Sequence, residues 1–282
     1  MNKVAIVTGG SRGIGRAICL GLAKKGYDVV IAAKSVTENP NLPGTIYSVA
    51  DEVRSLGVKA MPIKVDMRDK SNIEDLVSSV RSNFSRLDML VNNAGALWWK
   101  SIEDTPIEKY DLINSINSRG AFYLSKLCIP LMKENDGGHI IMQSPPLCYN
   151  EVDFKKNIKN KTGYMISKWG MTISALGISE EYKNDNIAAN TLWPLKPIES
   201  YALINNNIGN KKMWRKQDII VDCIKKIADE DPITFTGNQL TDEDYLRSKG
   251  ITDFEKYQCV PGCEPPIMNE IMNWDSPSIS KL

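Results

Sequence analysis

Short apolar runs alternate with stretches of helical periodicity along most of this chain. Lys3-Val4-Ala5-Ile6-Val7 is an apolar, β-branched run that reads as a strand, and Thr8-Gly9-Gly10-Ser11-Arg12-Gly13-Ile14-Gly15 follows it at once. Beyond it Ile18, Leu22 and Ala23 recur at helical spacing, and Gly26 is placed to end that helix. The same reasoning predicts strands over 28–33, 59–65, 87–91, 140–143, 187–192 and 233–240, with helices over 45–56, 72–84, 110–133 and 163–182. Strands and helices in strict alternation are βαβ units, so the expected class is α/β. Segment 35–44, with Asn39-Pro40-Asn41-Leu42-Pro43, reads as a surface loop, and there is no internal repeat.

Two features of this framework carry chemistry. The glycines between the first strand and first helix let backbone N–H groups approach a pyrophosphate at the helix's positive end. Their spacing is Gly-x-x-x-Gly-x-Gly, not the commoner Gly-x-Gly-x-x-Gly. Tyr164-Met165-Ile166-Ser167-Lys168 places a phenol and an ammonium four residues apart on one helix face. A nearby cation favours the phenolate, which predicts a depressed tyrosine pKa and proton exchange near neutral pH.

Composition narrows the class. With 282 residues and 42% hydrophobic content, one α/β domain with a large core is expected. Lys plus Arg number 35 and Asp plus Glu 34, so the net charge of +1 gives no global reason to expect nucleic acid or an anionic membrane. No apolar run is long enough for a membrane span, and Met1-Asn2-Lys3 runs straight into the first strand, so a soluble intracellular protein is expected. Cys19, Cys128, Cys148, Cys223, Cys259 and Cys263 are scattered and His139 is the one histidine, so reduced thiols, no metal and a structural imidazole are expected.

Thr8-Gly-x-x-x-Gly-x-Gly15, Asn92-Asn93-Ala94-Gly95 and Tyr164-x-x-x-Lys168 stand in the order and separations of the short-chain dehydrogenase/reductase family, which residues 3–242 resemble. More narrowly, Ile31-Ala32-Ala33-Lys34, Leu42-Pro43-Gly44-Thr45-Ile46-Tyr47, Asn117-Ser118-Arg119-Gly120, Ser144-Pro145-Pro146 and Phe235-Thr236-Gly237-Asn238 are similar to the hydroxysteroid dehydrogenase-like protein 2 group. That group often carries a sterol-carrier domain after the reductase domain; here residues 243–282 follow as a C-terminal extension.

The resemblance implies a Rossmann-type doubly wound parallel sheet of about seven strands with helices on both faces, and a nicotinamide cofactor. Gly9, Ser11, Arg12, Gly13, Ile14 and Gly15 would hold its phosphates, Asp66 its adenine, and Asn92, Ala94 and Gly95 its ribose side. Ala33 stands at the end of the second strand where NAD enzymes place a carboxylate. Lys34 follows it and Arg12 is a second cation, which together point to NADP(H). Ile198 and Ser200 are the candidate partners of the carboxamide, in a loop that keeps Pro194 but has Leu195 where the family has glycine.

For the reaction, the resemblance implies that Tyr164 exchanges a proton with a carbonyl or hydroxyl oxygen while hydride moves to or from the nicotinamide. Lys168 would bind the ribose and lower the tyrosine pKa. Asn117, with Asn114 as a rival, would hold a relay water. The family's second strand-end hydroxyl is Pro145 here, leaving Ser144 one position early as the candidate carbonyl donor. Trp98, Trp99 and Trp193 either wall an apolar substrate or pack the core. The implied activity is oxidoreduction of a small-molecule carbonyl or secondary alcohol, of lipid or acyl type; the alternative is a dinucleotide-binding protein with little catalysis. Family habit implies a homo-oligomer built on the helices around 110–133 and 163–182. Ser280-Lys281-Leu282 is a peroxisomal address, which implies an import receptor as partner.

Overall fold

The computed structural model describes residues 2–147, 155 and 158–267. Strands β1 (Val4–Thr8), β2 (Asp28–Ala33), β3 (Ala60–Lys64), β4 (Met89–Asn92), β5 (Gly138–Met142), β6 (Ile187–Trp193) and β7 (Gln239–Thr241) form one sheet in the order β3-β2-β1-β4-β5-β6-β7. Every neighbouring pair is parallel, so each connection must cross a face of the sheet. The helices that do so are α1 (Gly13–Lys24), α2 (Ile46–Arg54), α3 (Lys70–Phe84), α4 (Ile107–Asn114), α5 (Ala121–Lys133), α6 (Thr162–Glu181) and α8 (Asp218–Ile227), with the short α7 (Tyr201–Asn205) and α9 (Asp242–Ser248) beside β6 and β7. This is a Rossmann-type doubly wound sheet.

Alternation along β1 divides the core. Ala5 and Val7 face one layer with Ile18 and Leu22 of α1 and Ile220 and Ile224 of α8. Val4 and Ile6 face the other, with Leu76 and Val80 of α3, Leu124 and Cys128 of α5 and Met171 of α6. Full burial of these side chains on both faces explains why the strands read as continuous apolar runs. Among the described residues no helix is long and apolar enough to cross a membrane.

The strand order reverses between β1 and β4, where adjacent strands lead to helices on opposite faces and leave a crevice at their C-terminal ends. Three details depart from the sequence reading. The long helix starts at Ile107, and a π-helical wide turn, Ser115–Gly120, interrupts it before α5. The strand expected over 233–240 is only Gln239–Thr241, because a turn in which Phe235 N–H donates to the Asp231 carbonyl at 2.8 Å occupies the preceding stretch. The periodicity reading did not single out α8 and α9, although Ile219, Ile220, Cys223, Ile224 and Ile227 bury one face of α8 at helical spacing.

Candidate active site

The crevice is a cavity of about 540 Å³, lined by Gly9, Ser11, Arg12, Gly13, Ile14 and Gly15 on the β1 side and by Ala94 and Gly95 beyond β4. The Thr8 hydroxyl ties the two strand ends together. It accepts the N–H groups of Asn93 (3.0 Å) and Ala94 (2.9 Å), and donates to the Val91 carbonyl at 3.3 Å. Gly9 turns with φ of 68°, and a Cβ on Gly15 would stand 2.1 Å from the Gly9 carbonyl oxygen, so only glycine lets the loop close over the start of α1. The first turn of α1 carries no acidic residue and no side-chain cap, which leaves its N–H groups and positive end directed at the cavity. The donor set fits the pyrophosphate of a dinucleotide.

Lys34, just after β2, and Asp66, just after β3, both line the cavity. The half-exposed Lys34 ammonium is 3.9 Å from the Asp66 carboxylate, a loose surface pair that contributes at most about 1 kcal/mol. Arg68 holds Asp66 more tightly, at 2.6 Å, and its hydrogen bonds keep the Asp66 pKa below the usual range. Arg12 reaches across to the loop after β2, donating to the Ser35 hydroxyl at 2.7 Å and the Gly44 carbonyl at 2.9 Å. Of these groups two cations, Arg12 and Lys34, and one anion, Asp66, line the cavity at this end.

The reacting groups lie on α6. Lys168 is buried and donates to the Gln143 carbonyl at 2.8 Å; burial pushes its ammonium down to about 8. Tyr164 is buried too, with Trp99 edge-on at 6.1 Å and Trp98, Trp169 and Trp193 around it. Burial raises the phenol pKa, contrary to the depression expected from a neighbouring cation. The physical reason is that the low-dielectric surroundings disfavour phenolate while Lys168 spends its hydrogen bonding on Gln143. At neutral pH the phenol keeps its proton.

Asn117 joins this pair to the cavity. Fully buried in the wide turn, its amide accepts the Ala96 N–H (2.8 Å) and donates to the Ala96 carbonyl (3.0 Å) and the Ser167 hydroxyl (2.9 Å). Ser167 in turn donates to the Tyr164 carbonyl at 2.6 Å. The rival Asn114 only donates to the Tyr110 carbonyl one helical turn back. A Cβ placed on Gly95 would stand 3.3 Å from Asn117 Oδ1 and 3.5 Å from Lys168 Nζ, so both groups sit directly behind this glycine of the cavity wall.

Three expected site residues are placed elsewhere. Ser144 is fully buried and its hydroxyl accepts from Thr172 of α6 at 2.9 Å, so its hydrogen bond goes to Thr172 and not to the Tyr164 phenol. Asn92 turns its amide away from the cavity toward the Ser125 hydroxyl at 3.1 Å; the neighbouring Asn93 lines the cavity instead. Ile198 is buried in the core and bridges to Arg215, whereas Ser200 caps α7 and lines the cavity as expected. Ser167, Gln143 and Thr172 were not singled out from sequence; Ser167 was within reach, because position i+3 from Tyr164 must face the same neighbour as the pair.

His139 is buried with its Nε2 3.2 Å from the Glu230 carbonyl, and desolvation lowers its pKa to about 4, a neutral structural imidazole. Among the described residues, no three of His, Cys, Asp and Glu gather as metal ligands, and the five described cysteines are free thiols. Cys148 lies outside the described residues.

The family model of the short chain dehydrogenases matches residues 3–196, and the chain belongs to that family. It is 42% identical over 272 residues to hydroxysteroid dehydrogenase-like protein 2 of Xenopus tropicalis, an alignment spanning 96% of this chain and 63% of that one. The chain thus spans less than two thirds of the length of the curated relatives it matches. A short chain dehydrogenase of Mycobacterium thermoresistibile has the same fold with a TM-score of 0.86 and 39% identity, over 94% of this chain and 93% of that one. A metagenomic short-chain oxidoreductase solved with NADP matches at a TM-score of 0.70 and 25% identity, over 85% of this chain and 96% of that one. A carveol dehydrogenase of Mycobacterium avium with the same fold was solved with NAD, so the fold alone does not choose the cofactor.

Proposed function

We propose that this chain is an NADP(H)-dependent oxidoreductase acting on a carbonyl or secondary alcohol of lipid or acyl type. The observation that carries the reading is the placement of Asn117 and of Lys168, one helical turn from Tyr164, directly behind Gly95 of the cavity wall, where a Cβ would meet both. When bound, the nicotinamide supplies or accepts a hydride. Tyr164 holds its proton at neutral pH and donates it to the carbonyl oxygen; Lys168 offers ribose hydroxyls a buried ammonium fixed by Gln143. Asn117 holds α6 against Ala96 and keeps the pair in register with the cavity. Lys34 and Arg12 favour a 2′-phosphate, and the tryptophans around Tyr164 favour an apolar substrate.

Tyr164→Phe keeps the ring and deletes the proton. NADPH binding should persist while turnover in a carbonyl and alcohol screen falls about a hundredfold or more. Unchanged turnover would assign the acid to another group. The engagement of Ser144 by Thr172 favours the second reading, a cofactor-binding protein with little catalysis, and wild-type NADPH binding without turnover across the screen would establish it.

The proposed location is the peroxisome. Ser280-Lys281-Leu282 lies outside the described residues, so the reading rests on the tripeptide alone. Imaging an amino-terminally tagged chain with and without Leu282 tests it: loss of peroxisomal signal on deletion is expected, and identical diffuse signals would refute it. A homo-oligomer is proposed on α5 and α6, where Phe122, Ile166 and Ile173 are exposed.

A further inference from the structure

The loop between β6 and α7 brings Ser200 to the cavity and leads into Tyr201, which lines it too, and the loop's Glu199 carbonyl accepts from Gln217 at 2.6 Å. Its backbone is held from outside by Arg215. Arg215 N–H donates to the Pro197 carbonyl at 2.8 Å, and the Arg215 carbonyl accepts Glu199 N–H at 2.9 Å, a parallel bridge between Ile198 and Arg215. On the opposite side Arg215 bridges antiparallel to Gln258: Lys216 N–H donates to the Tyr257 carbonyl at 2.7 Å and Cys259 N–H to the Trp214 carbonyl at 3.1 Å. Three short segments, 197–199, 214–216 and 257–259, thus form a miniature sheet with Arg215 in the middle.

The Arg215 side chain is fully buried. Its Nη2 is 2.6 Å from Glu243 and 3.4 Å from Glu264, and its guanidinium lies 5.5 Å from the Phe254 ring centre. Lys196 pairs with Glu264 and lies 3.9 Å from Glu243. The neighbouring Asp242 accepts Leu195 N–H at 2.9 Å. Carboxylates from α9 and from the segment after it therefore converge on Leu195 and Lys196 at the start of the 194–200 loop, and on Arg215, whose backbone holds 197–199. A buried ion pair is weak ground for stability, since an apolar side chain of similar volume often does as well. What a guanidinium adds is direction.

We propose that Arg215 is a positioning residue for the dinucleotide site, holding the 194–200 loop through its backbone while its guanidinium draws Glu243 and Glu264 in as a clasp. The proposal rests on the reading that the cavity takes a nicotinamide dinucleotide. Arg215 itself does not line the cavity, so it acts there through the loop.

The test uses the full chain with Arg215→Met, Arg215→Lys and Glu264→Gln, read by amide hydrogen exchange and by NADPH titration. Arg215→Met should speed exchange in peptides covering 194–206 by about tenfold and weaken NADPH about tenfold, with peptides from β1 and β4 unchanged. Arg215→Lys should recover part of both effects. Glu264→Gln, which alters a half-exposed carboxylate, should show the same local pattern at smaller amplitude. Wild-type exchange in 194–206 in either Arg215→Met or Glu264→Gln, or acceleration spread evenly over the whole chain, would overturn the proposal. If Arg215→Met does not fold, Glu264→Gln decides. Wild-type protein that binds no NADPH would defeat the cofactor reading while the exchange result still decides the clasp.

Discussion

Replacing Asn117 by alanine removes one amide that serves three partners in a fully buried setting. The Ala96 N–H and carbonyl lose their partner together, and the Ser167 hydroxyl loses a donor. A buried hydrogen bond contributes about 1 kcal/mol, and a buried polar group left unpaired costs about 1–3 kcal/mol. Partial relaxation of the loop around Ala96 lowers the sum, so a loss of about 2–4 kcal/mol is expected. At roughly 2–3 °C per kcal/mol for a domain of this size, the melting temperature should fall by roughly 5–10 °C. Asn117→Asp keeps the shape but loses both donated bonds, and should be destabilised at neutral pH as well. Thermal unfolding followed by circular dichroism reads the effect without needing a substrate, and NADPH titration at a temperature where the variant is folded reads the consequence for the cavity. A melting temperature within about 1 °C of wild type for Asn117→Ala, with unaltered NADPH affinity, would show that the Ala96 loop and α6 do not depend on this amide.

Lys34→Ala should weaken NADPH about tenfold, the effect of losing roughly 1.4 kcal/mol of charge contact, and leave NADH unchanged; a wild-type preference for NADH would end the cofactor assignment. Lys168 titrates at about 8 when folded, below its ordinary 10.5, so the unfolded chain binds more protons between those values. Its contribution to stability therefore rises with pH across that window, while the charge available to the site is lost above about pH 8. Reductive turnover at saturating NADPH should fall on the alkaline side in wild type, and a profile flat to pH 10 would refute the role given to the ammonium.

The parts of the molecule legible from sequence are those set by local chemistry. The glycine loop, Ala94-Gly95 and the Tyr164–Lys168 spacing each encode their own geometry within a few residues; the first two line one crevice, and Lys168 lies behind its wall at Gly95. The fate of Ser144 was not legible, because its hydroxyl direction is decided by Thr172 on a helix far along the chain. The phenol pKa was misread for a similar reason: the cation is local, but much of the burial comes from tryptophans on two other segments, Trp98 and Trp99 after β4 and Trp193 at the end of β6. The false strand over 233–238 arose from an apolar and polar alternation that tertiary context converts into a turn, with Asn190 donating from β6 to the Phe235 carbonyl at 2.9 Å.

The wide turn at Ser115–Gly120 acts as a phase shifter. Each residue of an α-helix advances the face by about 100°, so one surplus residue rotates everything after it relative to everything before. Ile113, ahead of the turn, points among the aromatics around Tyr164, while Leu124 and Cys128, after it, point into the core beneath the sheet. A regular helix of the same length could not satisfy both destinations. Deleting a single residue within 115–120 would therefore not shorten a loop but force a choice between filling the core and furnishing the crevice, so insertions and deletions here should be far less tolerated than substitutions at the same positions.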